Sequence, residues 1–180
     1  MRISDFSCWW GRLLALMVLV FAAEVACAAE TDLGRPATPE DVTARDISIP
    51  PDGEGLPMGS GGAQAGKVIY AQKCASCHAA DGKGKPADAL VGGTGSLNSA
   101  KPVKTVGSFW PYATTLFDYI RRAMPLNAPM SLTDDEVYAV TAYVLAINGI
   151  VSMNQTLDAE SLPAVHMPNR DGFIDRSGAK

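Results

Sequence analysis

The residues with the most specific chemistry form one short run, Cys74-Ala75-Ser76-Cys77-His78. Cysteines three positions apart lie one turn apart at a helix end, so both sulfurs can reach the two vinyl positions along one porphyrin edge. The histidine beside the second cysteine is then carried under the iron, where an imidazole serves as the proximal ligand. The pattern therefore predicts one covalent haem c, held by Cys74 and Cys77, with His78 as an iron ligand.

Two other kinds of site use the same residue types. A thioredoxin-like redox pair places its C-x-x-C after a strand in a βαβ unit, and the sequence around Cys74 indicates no such unit. A zinc site needs two further ligands at suitable spacing, whereas the other histidine of the chain is the distant His166. Haem attachment is the interpretation that the sequence favours.

The second axial ligand is less closely specified. In a small haem domain the chain must cross the porphyrin, place a ligand on the far face and then pack a closing helix. Met124 and Met130 both lie where that path requires, and Met124 is the first choice because a predicted helix stops there, before Pro125. The other candidates are Met153, Met167 and His166, and methionines of this kind more often fill gaps in a core.

The elements that must position these residues are helical. Helices are predicted over residues 63–77, over residues 111–123, and from a capping box at Thr133 and Glu136 to about residue 148, with a short one near residue 39. No alternating strand pattern of useful length appears. We therefore expect an all-α domain over residues 62–150, small for a self-sufficient core and completed by the haem, between irregular Pro- and Gly-rich arms at residues 30–61 and 151–180.

The first 29 residues are predicted to be a cleaved signal peptide. Their apolar run ends in small residues, which favours cleavage after Ala28 or Ala29 and export to the periplasm, with no membrane span afterwards. Cys8 and Cys27 would leave with this segment. An uncleaved anchor is the alternative, and a lipid anchor on Cys27 is disfavoured because the preceding residues lack the usual leucine.

Charge excludes one class of partner and suggests another. The formal net charge of −4 argues against nucleic-acid binding. Lysines nevertheless gather around the attachment motif, and we call this set the lysine collar. It is either a solvated surface or a rim that steers an acidic partner. Its members are Lys67, Lys73, Lys83, Lys85, Lys101 and Lys104.

Several of these features together resemble the class I cytochromes c. The resemblance lies in Gly66 and Tyr70 ahead of the attachment motif, in residues 81–84 after it, and in residues 132–144. It implies a small class I cytochrome c fold around one haem, with the methionine of Met124-Pro125 as the distal ligand. Many members have a proline whose carbonyl orients the proximal histidine; Asp88 stands there in this chain, which leaves the partner of His78 open.

A narrower resemblance, to the haem subunits of sulfite and sulfane dehydrogenases, extends over nearly all of the chain after residue 33. It implies a molybdenum-cofactor subunit that oxidises a sulfur compound, and a downstream cytochrome c or terminal oxidase that accepts the electrons. Such subunits can carry a second haem, but this chain has one C-x-x-C-H. A free carrier, or a catalytic cytochrome acting on thiosulfate or peroxide, is the alternative. The matching stretches are residues 34–39, 51–57, 104–122 and 167–173.

Overall fold

The computed structural model describes residues 34–174 and 176, so the predicted signal peptide lies outside it. No helix in this part of the chain has the length and apolar character needed to cross a membrane. The prediction of an all-α domain is confirmed, with one very small sheet in addition. The helices are α1 (Pro39–Thr43), α2 (Ala63–Lys73), α3 (Ala75–His78), α4 (Ala113–Ala123) and α5 (Asp134–Ile147), and the strands are β1 (Ser60–Gly62) and β2 (Thr156–Asp158).

Helix α1 belongs to a first unit that ends at Thr43, and the remaining elements form a second unit from Ala44 onward. The short helix predicted near residue 39 is therefore present. Its start is capped from both sides, because the Asp41 backbone N–H donates to the Thr38 hydroxyl (3.2 Å) and the Thr38 N–H donates to the Asp41 carboxylate (3.0 Å). A hydroxyl and a carboxylate three residues apart thus supply the caps that a one-turn helix needs.

The second unit is built on the crossing of α2 and α5. A Cβ on Gly66 would lie 1.9 Å from the carbonyl oxygen of Ala139, so only glycine lets the two backbones come this close. Beside the crossing, the rings of Tyr70 and Tyr143 pack with their centroids 5.2 Å apart. This contact fixes the helix that leads directly into the attachment motif.

Helix α5 is also held at its start and against α4. Thr133 and Glu136 form the predicted capping box, with each side chain accepting from the other residue's backbone N–H. On the α4 side, the rings of Phe117 and Tyr138 lie 4.5 Å apart. Helix α4 begins at Ala113, two residues later than predicted. The predicted helices on either side of residues 124–133 are thus both confirmed.

The segments that flank the helices close the second unit. Strands β1 and β2 pair antiparallel, with Gly61 opposite Leu157. Three-residue strands are too short to show an alternating pattern, which is why the sequence did not predict them. Leu157, Leu162 and Met167 are buried in the same core as the helices. Ile49 joins them, and its N–H donates to the buried carboxylate of Asp118 (3.2 Å).

Candidate haem site

The attachment motif lies on a break between two helices. We expected one helix over residues 63–77, but α2 ends at Lys73 and the short helix α3 follows Cys74, whose φ of −119° leaves the helical range. The Cys74 carbonyl accepts from the N–H groups of both Cys77 (3.1 Å) and His78 (3.0 Å). The two cysteines and the histidine therefore share one tight turn.

The two thiols differ in their surroundings. Cys74 is partly buried and Cys77 is exposed, and neither is in a disulfide. Burial raises the pKa of the Cys74 thiol to about 11, with Lys73 opposing the shift. A C-x-x-C redox pair instead needs a lowered thiol pKa. The described residues hold no group of three His, Cys, Asp or Glu side chains arranged to bind a metal ion.

The imidazole of His78 has one nitrogen already engaged. Its Nδ1 lies 2.8 Å from the carbonyl oxygen of Asp88, an acceptor, so Nδ1 carries the proton and donates it. The Nε2 lone pair is then available for a metal, the usual arrangement for a ligating histidine. The question that the sequence left open is thereby answered: the Asp88 carbonyl orients the ring although no proline stands there.

The loop after the motif holds the backbone of the turn. The Ala87 N–H donates to the Cys77 carbonyl (2.9 Å), and the Gly84 N–H donates to the His78 carbonyl (3.0 Å). Because Asp88 belongs to the same loop, residues 84–88 contact both the main chain and the ring of the ligand segment. Sequence analysis missed this role because backbone groups leave little trace in residue types.

The candidate distal ligands have different environments. Met124 caps the end of α4, is partly buried and packs against the core, whereas the side chain of Met130 is 65% exposed. Met153 packs against the core, Met167 is fully buried within it, and His166 is exposed. Of the two methionines between α4 and α5, Met124 is therefore the one set into the apolar interior.

Two ion pairs flank Met124. Arg121 at the end of α4 bonds Asp134 at the start of α5 (3.1 Å), and Arg122 pairs with the buried Asp118. The first pair joins the two ends of the 124–133 loop. The second lies within α4, where Asp118 also accepts from the Ile49 N–H.

The lysine collar is only partly free. Lys73 pairs with Glu136 and Lys83 with Asp81, both at 3.4 Å, and Lys104 lies 4.9 Å from the centre of the Phe109 ring. Lys67, Lys85 and Lys101 make no ion pair within the described residues.

Aromatic side chains lie together at the segment before α4. Trp110 contacts Tyr119 with centroids 5.7 Å apart, and Phe109 contacts Phe173 of the C-terminal segment at 5.2 Å. Tyr112 lies under the guanidinium of Arg170, 4.6 Å away. We call these residues the aromatic patch.

These residues fit a covalently attached haem. Two thiols and an imidazole protonated on Nδ1 are presented by one turn, and the Cys74 thiol is partly buried against a core that also packs Leu90 and Met124. The donor set of this turn is the one that c-type haem attachment uses.

Comparison with known proteins agrees with this geometry. Residues 63–148 match the family model described as Cytochrome c. The chain is also similar to a chain in the crystal structure of the sulfane dehydrogenase SoxCD from Paracoccus pantotrophus, with 42% identity and a TM-score of 0.74 over 82% of this chain and 73% of that one. No curated protein is a significant match to the chain.

Proposed function

Because the chain belongs to the cytochrome c family, an electron-carrying family whose cofactor is haem c, we propose that it is the monohaem subunit of a molybdenum-dependent sulfite or sulfane dehydrogenase. The observation that carries this proposal is the extent of the likeness to SoxCD. The family model ends at residue 148, whereas the likeness to SoxCD covers 82% of the chain and so includes flanking segments that a free carrier does not need.

In this proposal Cys74 and Cys77 hold the haem through thioethers, and His78 and Met124 are its axial ligands. The haem supplies the one-electron redox chemistry. The protein supplies position: the Asp88 carbonyl keeps the proton on His78 Nδ1 and sets the direction of the ring. A methionine ligand favours a higher reduction potential than a second histidine would. A higher potential suits a haem that accepts electrons from a substrate as that substrate is oxidised.

The partners follow from the same proposal. A molybdenum-cofactor subunit would oxidise the sulfur compound, and this chain would pass its electrons to a downstream cytochrome c or terminal oxidase. The predicted signal peptide over residues 1–29 would place the assembly in the periplasm, where covalent attachment keeps the haem from being lost.

The test is purification of the tagged chain from its own cells. A subunit is expected to co-purify with a larger protein that contains molybdenum. The mass of the haem subunit itself should equal the chain cut after Ala28 or Ala29 plus one haem and the tag. Acidified acetone should leave the haem on the polypeptide, and replacing Cys74 and Cys77 together by alanine should release it. A haem-containing chain without molybdenum would instead support a free carrier, and ready binding of small anions by the ferric protein would support a catalytic cytochrome.

A further inference from the structure

The residue directly after His78 has an unusual backbone conformation. Ala79 has φ 63° and ψ 159°, a region in which glycine is at ease but a side chain is strained. Such a conformation persists only where neighbouring groups hold it. The groups that hold the Ala79 backbone therefore act directly beside the proposed iron ligand.

Two hydrogen bonds hold this peptide, and they come from different parts of the fold. The Ala79 carbonyl accepts from the Tyr70 hydroxyl (2.9 Å) and from the Gly82 N–H (3.2 Å). The Gly82 bond is local, since it only closes a turn within the loop. The backbone of the attachment motif also accepts hydrogen bonds from the N–H groups of Gly84 and Ala87, which belong to the same loop as Gly82. Within the described residues, the Tyr70 hydroxyl is the side-chain group that bonds the Ala79 backbone and so ties it to the helical core.

Tyr70 is placed to act as a fixed support. Its side chain is 1% exposed, it lies on α2 four residues before Cys74, and its ring packs on Tyr143 of α5. The close approach of α2 and α5 at Gly66, one turn earlier, fixes the backbone from which this phenol extends. The hydrogen bond from this hydroxyl therefore fixes the Ala79 carbonyl relative to the helical core.

We infer that Tyr70 is a positioning residue for His78: its hydroxyl holds Ala79 in the strained conformation and so fixes the backbone from which the imidazole extends. This inference rests on the proposed function, because it takes His78 as the iron ligand. Loss of the hydroxyl alone should let Ala79 relax, and the His78 ring should then change its orientation although the ring of residue 70 still fills its place in the core.

The experiment compares Tyr70→Phe with Tyr143→Phe in the full chain carrying its haem. Tyr143 is the matched control, because its ring is the other half of the Tyr70–Tyr143 contact and its hydroxyl makes no hydrogen bond within the described residues. The measurements are the paramagnetically shifted haem methyl resonances of the ferric protein, which report the orientation of the axial ligands, and the midpoint potential. We expect both to change in Tyr70→Phe and to keep their wild-type values in Tyr143→Phe.

A second pair of variants tests the strain itself. Glycine adopts the conformation of residue 79 without steric cost, so the change caused by Tyr70→Phe should be smaller in a chain that also carries Ala79→Gly. If Tyr70→Phe alone gives little haem protein, the chain carrying both substitutions is compared with the chain carrying Ala79→Gly alone. Wild-type spectra and potential in Tyr70→Phe, or equal changes in both tyrosine variants, would overturn the inference. Failure of the proposed function is a separate result, since the unmodified chain would then lack covalent haem or its ferric spectrum would lack a histidine ligand.

Discussion

The assignment of Met124 as distal ligand can be tested by substitutions that separate its sulfur from its bulk. Met124→Leu keeps nearly the same volume and removes the sulfur, a type of exchange that costs less than about 1.5 kcal/mol through packing. Met124→Ala also empties the space. A buried Met→Ala change costs about 2–5 kcal/mol, and because Met124 is only partly buried we expect roughly half of that from packing.

The assay combines a spectrum with a melting curve. Ferric iron bound to a methionine sulfur gives a weak near-infrared absorption band, which both Met124 variants should lose, together with a fall in midpoint potential. Because the leucine variant itself loses up to about 1.5 kcal/mol of packing, thermal unfolding should place Met124→Ala below Met124→Leu by at most roughly 10 °C, taking about 4 °C for each kcal/mol. The two variants share the loss of the iron–sulfur bond, so this difference measures packing alone.

Met130→Leu is the matched control, because it makes the same exchange six residues further on, at a side chain that is 65% exposed. It should keep the band and change the unfolding free energy by no more than about 0.5 kcal/mol. Loss of the band in Met130→Leu and its survival in Met124→Leu would move the ligand to Met130. Survival in both would refute the reasoning from position along the chain and point to Met153 or Met167.

Two further outcomes are expected. Reversing Lys83 and Lys85 to glutamate should slow electron exchange with an acidic acceptor at low salt. The difference should fade as salt rises, since surface charges are screened over about 8 Å at physiological ionic strength. Stopped-flow mixing measures this rate, and dissociation from the molybdenum subunit would instead make the lysine collar the subunit interface. The free energy of unfolding should fall between pH 10 and about pH 12. The reason is that burial raises the pKa values of Tyr70 and Tyr138 to about 12, so the unfolded chain releases these protons first. Denaturant titrations across this range measure the free energy of unfolding, and a flat profile would contradict the prediction.

The features that sequence could predict are those carried by side chains close together along the chain. The capping box at Thr133 and Glu136 is an example, since both partners and their three-residue spacing are visible in the letters and the structure has both bonds. The C-x-x-C-H run is another, because the chemistry depends on adjacent residues. The family, the helical fold class and the haem c cofactor were predicted correctly on this basis.

The features that sequence missed depend on backbone groups or on contacts between distant segments. The helix break at Cys74 is a matter of backbone conformation, with a φ of −119°, and no residue type there reveals it. The partner of His78 is a main-chain carbonyl, which any residue at position 88 could provide. The bond from Tyr70 to Ala79 is of the same kind, since only its donor is a side chain.

The pairing of β1 with β2 has a consequence for how this domain can be moved between proteins. The two strands lie about a hundred residues apart, so closing them joins segments on either side of the region that matches the family model. Leu157, Leu162 and Met167, all beyond that region, are part of the same core. A gene fusion that transplanted only residues 63–148 would omit both strands and leave a gap in that core, so a fusion must carry more of the chain than the region that matches the family model.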